Sequence, residues 1–159
     1  MTRRVLFLDV DGVMNSGDWM GAGNMKDFGP NMLDPKLVAR VADVVKRTGC
    51  EVVLSSSWRI GSSYNELRRF LRWNHGDPFR IADRTPNCAQ RVGSIFIGME
   101  RGAEIAQWLG ENPGVKRYAI VDDSDDMGPL RDRLVLTDWS TGIQPDHVER
   151  LVALLTEDA

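Results

Sequence analysis

Residues 5–16 read VLFLDVDGVMNS, an apolar run that ends in Asp9 and Asp11, one residue apart, with Gly12 directly after. Two more polar clusters follow apolar runs: Ser55, Ser56 and Ser57 after CEVVL, and DDSDD (122–126) after RYAIV. An isolated aspartate at a strand end is more often a helix cap or turn residue than a ligand, and Asp125 or Asp126 taken alone would mean no more than that. The Asp9/Asp11 pair beside a second acidic cluster is different. Two unit charges about 4 Å apart repel by roughly 4 kcal/mol at an effective dielectric near 20, so carboxylates gathered in one crevice require a cation. Carboxylate oxygens with no nearby histidine or thiolate select a hard ion. Mg²⁺ suits a site of few carboxylates, retained waters and a substrate phosphate.

These clusters reach one place only if the strands before them are parallel neighbours. Apolar runs of strand length alternate with segments of helical period, the pattern of a mainly parallel α/β sheet. Strands are expected at 4–8, 50–54, 79–82, 117–121 and 133–137. Asp34 caps a helix with Pro35 in its first turn, an inward face of Leu37, Val38, Val41, Val44 and Val45, and a stop at Gly49. Ser63 and Glu66 have capping-box spacing before Leu67, Phe70 and Leu71. A helix near 100–110 would bury Ala103, Ile105, Ala106, Trp108 and Leu109, and Pro145 opens a last helix with Val148, Leu151, Val152 and Leu155 inward. In an open parallel sheet the ligand crevice lies at the carboxyl ends of the strands, where Asp9, Asp11, Ser55 and Asp122–Asp126 all fall. Asn15–Asn31 and Arg84–Met99 read as irregular, and irregular segments of that length are usually functional or mobile. The first, glycine-rich yet carrying Trp19, Met20, Met25 and Phe28, suits a flap.

A chain of 159 residues is read as one domain, 1–159, with enough length for a real core. Its 42% apolar and 27% charged residues exclude disordered and fibrous classes. The formal charge of −3 is unevenly spread: Tyr64–Arg101 holds seven arginines against four acidic residues, net +3, leaving −6 elsewhere. Cys50 and Cys88 have no metal-ligand spacing, and Asp9 cuts the first apolar run short of a signal peptide. A cytoplasmic protein, a monomer or weak dimer without membrane contact, is expected.

FLDVDGV resembles the first motif of the haloacid dehalogenase (HAD) superfamily of phosphotransferases, an apolar strand followed by Asp-x-Asp-Gly. Ser55 in VVLSSSWR matches its second motif, and Asp122–Asp123 in AIVDDSDD its acidic fourth, so the motifs run in order over residues 5–126. SSSWR, RGAEIAQWL and the lack of a cap further resemble the HAD domains of RNA-repair (Swiss Army Knife) proteins. The resemblance implies a three-layer Rossmann-like fold, a mainly parallel five-stranded sheet with helices on both faces and no separate cap domain. It implies an Mg²⁺-dependent phosphatase in which Asp9 is the nucleophile, giving an aspartyl-phosphate, and Asp11 is general acid and then base. Asp11 would also lend its carbonyl to Mg²⁺. Asp123 is the preferred side-chain ligand, with Asp122 either a further ligand or the partner of the third-motif cation, and Asp126 a lesser candidate. Gly12 would let the backbone approach the phosphate, Ser55 would bond a phosphate oxygen, and Ser56 would contact substrate or cap the turn.

The third motif of that superfamily is often lysine. Lys116 stands at the start of the fourth predicted strand, five residues and some 16 Å from its catalytic end, taking about 3.3 Å per residue. Arg101, at the start of a helix antiparallel to that strand, sits at the correct end, and a guanidinium forks well onto phosphate. Arg59, four residues after Ser55, competes as a phosphate contact or a solvated residue.

An uncapped site would admit either nucleic-acid ends or small phosphate monoesters and nucleotides. The arginine-rich segment, with Tyr64, Phe70, Trp73 and Phe79, offers charges and stacking faces for a single strand, though helical spacing turns Phe70 toward the core. Trp139 either lines the mouth or plugs the structure. Two other classes share an acidic metal site. A receiver-like phosphoacceptor domain has its aspartate after the third strand and a lysine after the fifth, whereas Thr137 and Asp138 end the fifth here. A catalytically silent metal- or phosphate-binding module would have no need of both Asp9 and Asp11.

Overall fold

The computed structural model describes residues 2–24 and 27–157; Met25 of the expected flap lies outside them. β1 (Arg3–Leu8) is fully buried from Val5 to Leu8, as a central strand covered on both faces must be. A three-residue helix α1 (Gly17–Trp19) and irregular turns lead to α2 (Pro35–Thr48), which Asp34 caps through Lys36 N and which Gly49 ends at φ 66°. β2 (Glu51–Leu54), α3 (Ser63–Arg69) and β3 (Ile81–Arg84) follow. A hairpin of β4 (Gln90–Val92) and β5 (Ile95–Ile97) precedes α4 (Arg101–Glu111), β6 (Val115–Asp122), β7 (Leu134–Leu136) and α5 (Pro145–Thr156).

The five long-range strands pair in parallel in the order β3-β2-β1-β6-β7. Leu6, Leu8, Val52 and Leu54 pack against α2, α3 and α5, while Val5, Phe7, Val53 and Ile120 meet Ile105 and Trp108 of α4. The result is the three-layer fold the resemblance implied, and no described segment forms a separate cap. From β1 the chain winds outward through β2 to β3, then returns on the other side to β6. The switch between β1 and β6 opens the crevice in which such sheets bind ligands.

Several details depart from expectation, among them β3, which runs Ile81–Arg84 where 79–82 was expected. Ser62, not Ser63, precedes α3 and makes no side-chain cap; the Ser63 hydroxyl donates to the carbonyls of Trp58 and Ile60 instead. Arg84–Met99, expected to be irregular, contains the β4–β5 hairpin, turned at Gly93 with φ 64°, a glycine-serine signal between apolar residues. Asn15–Asn31 is built of short turns: Ser16 caps α1 through Trp19 N, the Trp19 indole donates to the Asn31 carbonyl, and the exposed Phe28 ring lies 5.1 Å from that of Trp58. Finally, α4 turns Gly102 and Glu104 inward with Ile105 and Trp108, leaving Ala103 and Ala106 in solvent. Among the described residues no helix is long and apolar enough to cross a membrane.

Gly102 seats α4 against the turn after β6, since a Cβ there would stand 2.2 Å from the Met127 carbonyl oxygen. Gly102→Ala is expected to cost about 2 kcal/mol or more of stability, read as a lower urea midpoint at constant slope. An unchanged midpoint would show that α4 can lift off this turn freely.

Candidate active site

The ends of four strands, β2, β1, β6 and β7, are stitched together one residue past their ladders. Ser55 N donates to Leu8 O at 2.8 Å, Asp9 N to Val121 O at 3.1 Å, and Thr137 N to Asp122 O at 2.9 Å. These bonds bring Asp9, which is 5% exposed, beside Asp122, which is 1% exposed. Asp9, Asp122 and Asp123 each place a carboxylate oxygen within 4.8 Å of the others. Burial, then repulsion from Asp122, pushes the Asp9 carboxyl up to about 9. Burial likewise raises Asp122, to about 6, against the pull of Arg101. Burial and mutual repulsion thus both favour the protonated form of this pair.

Arg101 is the cation that the fold itself supplies. Its Nη1 donates to Asp9 Oδ1 at 3.0 Å, Asp122 Oδ2 at 3.3 Å and the Ser55 carbonyl at 2.7 Å. The acidic run DDSDD divides its tasks around it. Asp122 and Asp123 join the cluster, while Asp126 accepts from Arg101 N at 3.2 Å and from the Ser124 hydroxyl, thereby holding the start of α4. Asp126 is thus the helix anchor, and Asp125 pairs outward with the exposed Arg131.

Gly12 is needed for two reasons, its φ of +77° and the approach of Asp123, whose Oδ2 would lie 2.4 Å from any Cβ at this position. The close neighbour is the Asp123 carboxylate, where a substrate phosphate was expected. The Thr137 hydroxyl donates to Gly12 O at 2.7 Å, and Gly12 N donates to Asn15 Oδ1 at 3.0 Å. Asn15 also donates to Asp11 Oδ1 at 2.9 Å, and the Trp58 indole reaches both Asp11 oxygens at 3.2 Å. The Asp11 side chain is therefore held beside the cluster rather than within it.

The serines separate. Ser55 Oγ is buried and has no hydrogen-bond partner among the described residues, an atom expected to find a ligand. Ser56 Oγ accepts from Trp58 N and caps the turn Ser57–Arg59. Arg59 is neither solvated nor turned to the acidic cluster. It is buried, donates to the Ser56 carbonyl at 2.6 Å and grips both oxygens of Glu104 at 2.8 and 2.9 Å. Between the two candidate cations, the fold brings Arg101 to Asp9 and commits Arg59 to tying the Ser55 loop to α4. Lys116 is exposed at the opposite end of β6. Trp139 packs its ring on Gly17, where a Cβ would meet it at 2.5 Å, and so anchors the start of the flap.

Asn15, Trp58, Thr137 and Glu104 were not foreseen as site residues. Only Asn15 carried a signal, an amide four residues after Asp11 in a turn; the other three contact the site across long sequence separations.

Residues 5–148 match the family model of the HAD domain in Swiss Army Knife RNA repair proteins. The chain belongs to that family. As a HAD domain it is a hydrolase of the phosphatase type, and the superfamily generally works with a divalent metal. A comparison with curated proteins found no match. The donors in this HAD domain fit a divalent ion, being three oxygen ligands of one sign in a small space with the orphaned Ser55 hydroxyl at the same edge.

Two tests follow from this geometry. Because both raised carboxyls prefer to stay protonated in the fold, their stabilisation is complete below about pH 4 and is lost as pH rises through about 6 and then about 9. In EDTA the melting temperature should fall over that window, less so in Asp9→Asn, and Mg²⁺ should reverse the fall by displacing the protons; identical slopes in both proteins would refute this. Glu104→Ala leaves Arg59 buried and unpaired and should cost about 3–5 kcal/mol in urea unfolding, much of it recovered when Arg59 is changed to Met as well.

Proposed function

We propose that this domain is an Mg²⁺-dependent phosphatase that hydrolyses phosphate monoesters through an aspartyl-phosphate on Asp9. The observation that carries the reading is the position of Asp9: between the Arg101 guanidinium and the acidic pair, at the edge where Ser55 Oγ waits unpartnered. Mg²⁺ bound by Asp9, Asp123 and the Asp11 carbonyl, with Asp122 beside them, would offset the gathered negative charge. Arg101 and Ser55 orient the phosphoryl oxygens, and an Asp9 oxygen attacks phosphorus in line with the leaving oxygen. As the O–P bond to Asp9 forms, the bond to the leaving group breaks and Asp11 gives that oxygen its proton. Water then attacks the phospho-aspartate, Asp11 takes a proton from it, and Asp9 is released with inorganic phosphate. The Trp58 indole and Asn15 amide keep Asp11 at the mouth for both steps.

The substrate class is read from the open edge. With no cap domain among the described residues to seal a small ester from water, the site accepts the end of a nucleic acid or a nucleotide. Both cysteines are free, as in a reducing compartment such as the cytoplasm.

Wild-type protein should hydrolyse a generic aryl phosphate only with Mg²⁺. Asp9→Asn should lower kcat by about a thousandfold or more, and Arg101→Ala by about a hundredfold. Turnover unaffected by Asp9→Asn would refute the mechanism. A stable phosphoprotein without turnover would favour the receiver-like reading, and metal binding without either the silent module.

A further inference from the structure

We infer that a groove on the outer edge of the sheet, remote from Asp9, binds single-stranded polynucleotide and leads its end toward the catalytic edge. The groove, about 550 Å³, runs between α3, the turn that follows it and the start of β3. Arg68, Arg69, Arg72 and Arg80 line it against one carboxylate, Asp77. Among the described residues Arg72 and Arg80 have no carboxylate partner, and Arg69 approaches Glu66 only at 3.8 Å. Unpaired guanidiniums gathered in a concavity call for a partner carrying regularly spaced negative charge.

A flat stacking face completes the recognition. Trp73 is 72% exposed, the most exposed large apolar side chain described, and Arg72 lies 4.9 Å from its ring centroid. A solvent-facing indole gains nothing for the fold. Beside cations it provides the stack-plus-phosphate arrangement that holds single strands irrespective of sequence. A lipid surface is flat and would touch only the rim, and an acidic peptide has no planar groups in register with its charges.

The cations continue from the groove to the catalytic edge. Ile81 pairs with Val52 but Asp83 with Val53, so Ala82 is an extra residue that re-aims the end of β3. Asp83 then turns to the Trp108 indole, whereas Arg84 turns to α3 and stacks on Tyr64 at 4.4 Å. Arg68 approaches the same ring at 5.5 Å. Tyr64 thus joins Arg68, at the groove, to Arg84, which pairs with Leu54 one residue short of Ser55. The groove, at the start of β3, lies three residues along that strand, about 10 Å, and two strands across the sheet, about another 10 Å, from the Asp9 end of β1, a separation that an oligonucleotide bridges and a mononucleotide does not. This leading role rests on Asp9 being the phosphatase nucleophile; binding in the groove does not.

The test titrates the 159-residue chain, in EDTA, into fluorescent RNA and DNA single strands of about 12 nucleotides without terminal phosphates. Salt-dependent binding is expected. The Arg72→Gln/Arg80→Gln pair should weaken it about tenfold or more and reduce the log–log salt slope by about 1.4, at about 0.7 per phosphate contact. Trp73→Ala should weaken it about tenfold. All these variants should keep wild-type hydrolysis of an aryl phosphate, yet lose the preference of the wild type for a phosphorylated oligonucleotide over a phosphorylated dinucleotide. Absence of binding at low salt, binding indifferent to these substitutions, or tighter binding to anionic vesicles or an acidic peptide would overturn the groove. Lack of aryl-phosphate hydrolysis with binding intact would instead overturn the catalytic reading alone.

Discussion

The structure is organised around negative charge forced together at the ends of two central strands. Asp9 and Asp122 follow buried runs, and pairing of β1 with β6 puts their carboxylates side by side, away from bulk water. Such an arrangement is unfavourable by itself. One guanidinium, that of Arg101, meets both carboxylates and the neighbouring carbonyl, while burial still raises both carboxyls toward their protonated forms. A compact divalent cation, the kind of metal with which the superfamily generally works, would relieve that cost.

Much of the surrounding chain serves to keep that arrangement from relaxing. Gly102 lets α4 lie directly on Met127, Asp126 holds the first turn of α4, and Glu104 fastens it through Arg59 to the loop that bears Ser55. Arg101 is thereby fixed from three sides. On the opposite flank, Thr137 and Asn15 clamp the Gly12 turn so that Asp123 can press against backbone. Asp11 is steered separately by Trp58, on which the flap residue Phe28 rests. The flap thus reaches Asp11 through the Phe28–Trp58 ring contact and the Trp58 indole.

The uneven charge along the chain becomes a spatial division. Asp9, Asp122 and Asp123 gather at the switch between β1 and β6, where Arg101 meets the first two, and four other arginines of the central segment, Arg68, Arg69, Arg72 and Arg80, line the outer edge formed by α3 and β3. A polyanion is repelled by the first region and attracted by the second, so binding and chemistry are separated across the sheet. The bulge at Ala82 joins them, because it turns Arg84 out of the alternation that an unbroken strand would impose.

The sequence by itself determined the alternation of strands and helices, the mainly parallel sheet and the strand ends at which the acidic residues gather. Those depend on local period, on capping residues such as Asp34 and Gly49, and on polar residues that interrupt apolar runs at 9, 55 and 122. The capping box at Ser63 and the inward face of α4 were misjudged because they turn on tertiary partners: Ser63 is drawn to the Trp58 and Ile60 carbonyls, and Glu104 is drawn inward by Arg59. Only the tertiary structure decided which arginine faces Asp9, why position 12 must be glycine, and what holds Asp11. Each of those answers is a contact between residues tens of positions apart, where spacing along the chain carries no information and packing alone sets the distance.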